Sequence, residues 1–157
     1  MTDRTIVLSA YRDRLGPPRA VMGFFEAHRP LSNFHIENFT WDGAPWQSSE
    51  AAFQAAKFGP TAYAEFELLS PEDSKTFGRS RAGLLPDWDS KRVAVMNSIL
   101  LAKFTQCPIA RACLLSTGHA HLEECNWWGD RFWGTVDGQG KNMLGIVLMA
   151  VRASIWP

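Results

Sequence analysis

The chain is short of cysteine, of net charge and of long apolar runs, and each shortage excludes a class of protein. Three cysteines in 157 residues are too few for a disulfide framework and favour a reducing compartment, so a cytoplasmic protein is expected. Sixteen basic side chains balance sixteen acidic ones, which argues against a chain that coats nucleic acid through charge alone. No apolar run approaches the roughly 20 residues of a membrane span, so no membrane association is expected.

Linkers, repeats and low-complexity tracts are also missing, which predicts a single domain. The first residues lack a signal-peptide pattern, and we assign residues 1–20 to a peripheral extension and residues 21–157 to the domain. Nothing in the composition points to an obligate protein partner. One histidine and cysteine set lacks the paired spacing of a zinc site, so no metal is expected. That set is Cys113, His119, His121 and Cys125.

Tryptophan, by contrast, is abundant, with seven residues in the chain. Three of them, Trp127, Trp128 and Trp133, lie within a stretch of seven residues, and five of the twelve glycines lie between Gly129 and Gly145. Rings beside glycines are typical of flat surfaces next to backbone that a ligand can approach. An aromatic core joined by tight turns is the alternative, and composition does not separate the two.

Strand signals come early in the chain and helix signals come late, which predicts an α+β fold, mainly helical, with a small antiparallel sheet packed with several helices. The predicted strands span 21–26, 34–41 and 45–47, with a return to the sheet at 122–125. Asp42-Gly43 is a favoured hairpin turn. The predicted helices span 48–58, 70–77, 87–104, 108–118 and 142–155. Gly78 is expected to end the second helix.

The first helix carries an acid, an amide and an amine on one stripe, at Glu50, Gln54 and Lys57. Such a face can hold a polar ligand, and Glu50 is the natural acid–base candidate. The alternative is a solvated face whose acid stabilises the helix N-terminus. Lys103 lies on the apolar side of the longest helix, so its amine either reaches solvent or is buried with a lowered pKa and reactive potential.

A second unusual segment runs from Glu124 to Gly145. It is not a Walker A loop, since Asn142 stands where Ser or Thr is required, and it lacks the third glycine of a dinucleotide fingerprint. A glycine-rich turn leading into a helix N-terminus remains, which is suited to phosphate. Glu124 and Asp130, with indoles beside them, supply what a nucleobase or sugar site needs. A purely structural loop is the alternative.

Taken in order, these segments resemble the YbiA/NADAR family, over about residues 21–156. The matching segments are PLSNF (30–34), SEAAFQAAKF (49–58), Gly78-Arg79, Asp87-Trp88, Lys91, Met96, Lys103-Phe104, LLSTG (114–118), 124–142 and 144–152. The ordered series is more specific than any single motif. His35 departs from the pattern, because an aromatic residue is common there.

The resemblance implies an N-glycosidase that acts on riboflavin-pathway intermediates or on ADP-ribose attached to guanine, with no cofactor. Cleavage of a ribose–nitrogen bond passes through an oxocarbenium-like state and requires carboxyl groups and a positioned water, for which Glu50 and Asp130 are the candidates. A sugar on an exocyclic amine can also open to an imine that a lysine enters as a Schiff base. Lys57 is preferred to Lys103 for that role because it shares the stripe of Glu50.

The resemblance also implies binding roles. Trp88, Trp128 and Trp133 are expected to stack on base or sugar. Gly134 to Asn142, with Lys141, are expected to hold phosphate. Hydrogen bonds to sugar hydroxyls or base edges are assigned to Asn33, Gln54 and Glu124. Phe34, Ser49 and Lys103 complete the predicted substrate-binding set.

Two other functions remain open from the sequence. A non-catalytic module that binds ADP-ribose or another NAD-derived nucleotide needs the same tryptophans and phosphate loop. A protein-interaction module would use the tryptophans as binding hot spots. If the substrate is modified nucleic acid, the neutral chain predicts modest, salt-sensitive binding through a local patch. The candidate patch is Arg79, Arg81, Lys91 and Arg92.

Overall fold

Two small sheets and five α-helices make up residues 20–157, the part of the chain described by the computed structural model. The strands are β1 (Ala20–Met22), β2 (Phe39–Trp41), β3 (Ala44–Trp46) and β4 (His121–Glu123). The helices are α1 (Ser49–Ala56), α2 (Pro71–Ser80), α3 (Trp88–Gln106), α4 (Pro108–Ser116) and α5 (Met143–Ile155). Two 3₁₀ helices span Glu26–Leu31 and Pro60–Glu65. The predicted α+β, mainly helical class is confirmed. The predicted extension, residues 1–20, lies outside the described residues except for Ala20, where β1 begins.

Local signals placed the helices well because their caps form as expected. The Ser48 hydroxyl accepts the Ala51 N–H at the start of α1, and the Ser70 hydroxyl accepts the Asp73 N–H at the start of α2. Gly78 is the exception, since α2 continues past it to Ser80. Glycine at this position permits close packing between α2 and α1, because a Cβ there would collide with the Gln54 side chain.

The sheets differ from the single antiparallel sheet that the sequence predicts. The hairpin of β2 and β3 forms as expected around Asp42-Gly43, both of which have positive φ. The first strand is only three residues long and does not join the hairpin. It pairs in parallel with β4, with Val21 opposite Leu122, about a hundred residues along the chain. No local pattern reports such a pairing, because parallel neighbours need a long crossover connection.

Helix α3 lies at the centre of the core, against α1, α4, α5 and β2. Ile99, Leu100 and Phe104 of α3 are fully buried there. All eight residues of α1 are buried, since its alanines let neighbouring elements approach closely from several sides. The solvated-face interpretation of α1 is therefore wrong. In residues 20–157, no single helix is both long and apolar enough to cross a membrane. Helices α3 and α4, which are bent by 103° relative to each other, have the length and composition of a membrane span only when taken as a pair.

Candidate active site

A cleft of about 430 Å³ lies beside the buried face of α1. The wall is built from α1, α2, the turn at residues 32–34, the residues after β1 and the loop between β4 and α5. Nine of the predicted site residues line it: Asn33, Phe34, Glu50, Gln54, Lys57, Glu124, Trp128, Asp130 and Trp133. The three predicted catalytic residues thus share one cavity with six of the twelve predicted binding residues.

Glu50 forms the floor of this cleft and is only 7% exposed. Its Oε1 accepts a hydrogen bond of 2.8 Å from Gln54 Nε2, one helical turn away. Burial raises the pKa of Glu50, because a low-dielectric site disfavours the charged form, and the Gln54 bond and the charge of Lys75 oppose that shift. The site therefore holds a carboxyl group that keeps its proton at higher pH than a free glutamate.

Lys57 follows α1 directly and lines the same cleft. Burial lowers the pKa of its amine, while the charge of Glu50 raises it. Its Nζ lies 5.8 Å from the centre of the Phe53 ring. The neutral amine is the form that attacks a carbonyl carbon, so the partial burial of Lys57 favours its reactive form.

Two further carboxyl groups, Glu124 and Asp130, line the cleft from the loop between β4 and α5. Burial, together with the charge of Asp130, raises the pKa of Glu124 to about 7. Glu124 Oε2 is buried and has no hydrogen-bond partner within residues 20–157. Asp130 is engaged differently: its Oδ1 accepts the N–H groups of Phe132 and Trp133, at 3.0 and 2.8 Å. The Asp130 carboxylate therefore also stabilises the turn that carries Trp133.

Aromatic rings and cations form the mouth of the cleft. Lys75 Nζ lies 5.5 Å from the Phe34 ring centre and 5.6 Å from that of Trp128. Trp127 is 77% exposed and stacks on Phe25 with 5.5 Å between ring centres. Arg29 and Arg79 line the cleft as well. The mouth thus offers flat apolar surfaces next to positive charge.

Six predicted binding residues do not line the cleft. Ser49 instead contacts a residue that does line the cleft, since its hydroxyl donates to Asn33 Oδ1 at 2.8 Å. Trp88 is buried against Phe53 rather than open to a ligand. Lys103 is 1% exposed and its amine donates to the Ser32 carbonyl at 2.9 Å, so it does not reach solvent. The other three are Gly134, Lys141 and Asn142.

Those three belong to the segment predicted to hold phosphate, and the structure favours the structural interpretation of it. Asn142 Oδ1 accepts the Glu124 N–H and its Nδ2 donates to the Leu122 carbonyl, both at 2.9 Å, which ties α5 to β4. A Cβ at Gly134 would collide with the Glu124 carbonyl. The Lys141 amine lies over the Phe132 ring.

The sequence analysis gave no role to several wall residues. Some of them, such as Phe25 and Lys75, lie outside every motif, while others, such as Phe53, lie in matched segments but carry no acid, base or cation. Lys75 is the most consequential, since it places a cation between two cleft rings. In the proposed nucleic-acid patch, Arg79 reaches the cleft, whereas Arg81 pairs with Glu65 and Lys91 with Asp87. Arg92 stacks on Phe132, 3.6 Å from its ring centre. The unanticipated wall residues are Phe24, Phe25, Arg29, Ser32, Phe53, Lys75, Met96 and Leu144, with Trp127 known only as part of its segment.

The NADAR domain model matches residues 23–156, almost all of the described chain. The chain belongs to the NADAR domain family. It is 39% identical to the N-glycosidase YbiA of Escherichia coli K12 over 129 residues, which cover 80% of each protein. It is 34% identical to the N-glycosidase Npun_R5314 of Nostoc punctiforme over 142 residues, covering 84% of this chain and 90% of that protein.

A solved structure supports the same assignment. The NMR structure of E. coli YbiA superposes with a TM-score of 0.74 at 35% identity, covering 87% of this chain and 88% of that one. A riboflavin biosynthesis protein of Vibrio vulnificus, VVA0006, is 38% identical over 135 residues, 83% of this chain but 36% of its own length. These findings confirm the predicted enzyme class, a hydrolase of N-glycosyl compounds. Within residues 20–157, no three His, Cys, Asp or Glu side chains are grouped to hold a metal ion.

Proposed function

We propose that this NADAR protein hydrolyses the ribose–nitrogen bond of an amino-linked nucleobase adduct. The observation that carries the proposal is the buried Glu50 carboxyl, held by Gln54 in a cleft that also contains Lys57. Cleavage of an N-glycosidic bond needs a proton for the leaving nitrogen and a negative charge near the sugar carbon. Glu50 supplies the proton, since burial raises its pKa.

Glu124 is the second acid–base group of the proposed reaction. With a pKa of about 7, it is part ionised at neutral pH, so it can accept a proton from the attacking water. Asp130 contributes negative charge near the sugar while its Oδ1 remains bonded to the turn. Glu124 Oε2, a buried oxygen without a hydrogen-bond partner in residues 20–157, suits a sugar hydroxyl donor.

Lys57 offers a covalent route for a sugar on an exocyclic amine. The furanose ring opens to an imine between C1′ and the base nitrogen. The Lys57 amine adds to C1′, and one of its protons passes to the base nitrogen. The bond from C1′ to that nitrogen then breaks, while Glu50 gives the nitrogen a second proton and takes one back from the lysine nitrogen. Water then hydrolyses the lysine imine, which releases the sugar and restores the amine. No other reactant is required.

The mouth supplies recognition of a phosphorylated nucleotide-like substrate. Phe34 and Trp128 suit a planar base, and the cations Arg29, Lys75 and Arg79 suit phosphate, in place of the predicted Gly134–Asn142 loop. Two substrates fit this chemistry: ADP-ribosyl-guanine in nucleic acid, and ribosylaminopyrimidine phosphates of riboflavin synthesis. All three cysteines are free thiols, in keeping with the proposed cytoplasmic location.

The test incubates the purified protein with each substrate and follows release of free base by mass spectrometry. Guanosine-ADP-ribosylated oligonucleotide forms one arm and 5-amino-6-ribosylaminouracil phosphate the other. Borohydride added during turnover should reduce a Lys57 imine and leave a sugar adduct on that residue, absent from Lys57→Met. Release from either substrate supports the glycosidase and selects the substrate. Binding of ADP-ribose without any release would contradict it and favour a nucleotide-binding module.

A further inference from the structure

Lys103 is a buried amine that the proposed chemistry does not use. It is 1% exposed, next to the apolar side chains of α3, and lies over the Phe104 ring. Within residues 20–157 no carboxylate lies within salt-bridge distance of its Nζ. Burying an amine without an ionic partner is costly, whereas Met or Leu would fill the same apolar space at less cost. Its presence therefore calls for a specific contact.

That contact is the backbone of the turn beside the floor of the cleft. Lys103 Nζ donates to the Ser32 carbonyl at 2.9 Å, and the same carbonyl accepts the His35 N–H at 3.2 Å. The residues that follow in this turn, Asn33 and Phe34, line the cleft, as Ser32 itself does. Lys103 thus fastens a wall of the site to α3.

The same turn is fastened to α1 on its other side. The Asn33 carbonyl accepts the Glu50 N–H at 3.0 Å, and Asn33 Oδ1 accepts the Ser49 hydroxyl at 2.8 Å. The Ser32 hydroxyl closes the turn by accepting the Phe34 N–H. The turn at residues 32–34 is therefore hydrogen-bonded to α3 on one side and to α1, next to Glu50, on the other.

We propose that Lys103 is a positioning residue for the glycosidase reaction, acting by fixing the turn at residues 32–34 against the backbone of Glu50. The inference rests on the proposed function, because it gives Glu50 its role. The sequence left a Schiff-base role and a substrate-binding role open for Lys103. The positioning role replaces both, because the Lys103 amine is hydrogen-bonded to the Ser32 carbonyl and does not line the cleft. A charged and a neutral amine both donate, so the contact persists in either state.

Lys103→Met tests the proposal, because it keeps the apolar volume and removes the donor. We expect kcat to fall on the order of 10- to 100-fold, with a smaller change in KM, since misplacing a catalytic carboxyl by about 1 Å has effects of that size. Lys103→Arg restores a donor and should recover part of the loss. Phe104→Leu, a neighbouring core change, is the matched control and should leave kcat unchanged.

Hydrogen exchange of the Glu50 and His35 amides supplies a readout that does not depend on turnover. Both N–H groups bond to the turn, so they should exchange faster in Lys103→Met and as in wild type in Phe104→Leu. If neither amide changes, or if both change while kcat stays at the wild-type value, the positioning role is wrong. A wild-type protein that cleaves neither substrate refutes the proposed reaction, and with it the catalytic part of this inference. The exchange rates then still decide whether Lys103 fastens the turn.

Ser49→Ala removes the side-chain hydrogen bond between α1 and Asn33 of the turn, and it gives a second, independent measurement. Since both residues act on one turn, the double variant with Lys103→Met should lose less activity than the product of the two single effects. Full additivity would contradict a shared role. The cycle can also be built with Lys103→Leu, which likewise lacks a donor, if Lys103→Met does not fold.

Discussion

The floor and the mouth of the cleft are built on opposite principles. At the floor, Glu50 and Gln54 are buried on a helix with no exposed residue, and a hydrogen bond of 2.8 Å joins their side chains. At the mouth, Trp127 and Trp128 are 77% and 46% exposed, and Lys75 meets its rings through looser contacts over 5 Å long. The difference separates two tasks: rigid, desolvated groups suit proton transfer, while exposed rings and long cations suit recognition.

Removing the floor carboxyl should have the largest effect. Glu50→Gln keeps the shape and the contact with Gln54 but cannot transfer a proton, so kcat should fall by about 10²- to 10⁴-fold while substrate binding persists. Steady-state kinetics and a binding titration measure the two quantities separately. Glu72→Gln, an exposed acid on α2, is the control. Equal losses of binding and turnover would contradict an acid–base role.

The next test concerns Asn142, whose side chain is hydrogen-bonded to the backbone of Glu124. Asn142→Ala removes two buried hydrogen bonds, to Glu124 and Leu122, so unfolding free energy should fall by about 2–4 kcal/mol in urea titration. Asn142→Asp keeps the acceptor but places a buried carboxylate oxygen against the Leu122 carbonyl, so a loss of similar size is expected. The predicted phosphate role for this residue would instead raise KM in a variant of unchanged stability.

The third test uses the pH dependence of Glu124. Its folded-state pKa of about 7 lies above the ordinary 4.5, so the folded chain keeps a proton that the unfolded chain releases. Wild-type stability should therefore decline as pH rises from about 4.5 to 7, and Glu124→Gln should lack that decline. The gain of the variant over wild type should reach on the order of 3 kcal/mol at pH 8, relative to pH 4. A constant difference across this range would show that Glu124 is not desolvated.

Changes at the mouth should have the smallest effects and act on KM alone. Trp128→Ala removes one stacking surface and should raise KM by roughly tenfold, since stacking on a base contributes about 1–3 kcal/mol. Lys75→Met should raise KM by a few-fold, and less at high salt, because salt screens the positive charge that the substitution removes. A fall in kcat in either variant would mean that the mouth takes part in the chemistry.

Local patterns in the sequence determined a large part of this protein. The serine caps set the starts of α1 and α2, the Asp42-Gly43 turn set the hairpin, and the helical spacing of Glu50, Gln54 and Lys57 put them on one face. Each of these depends on residues a few positions apart. Such interactions are visible in the sequence because local geometry repeats wherever the pattern occurs.

Only the tertiary structure decided which of those groups are buried. It enclosed the polar stripe of α1, paired β1 with β4, and brought Lys75 from α2 to the rings of Phe34 and Trp128. It also placed Lys103 beneath the turn at residues 32–34 and made Asn142 a tie between α5 and β4. Burial, pKa and the partner of a side chain depend on elements far away in the chain, and folding alone brings those elements together.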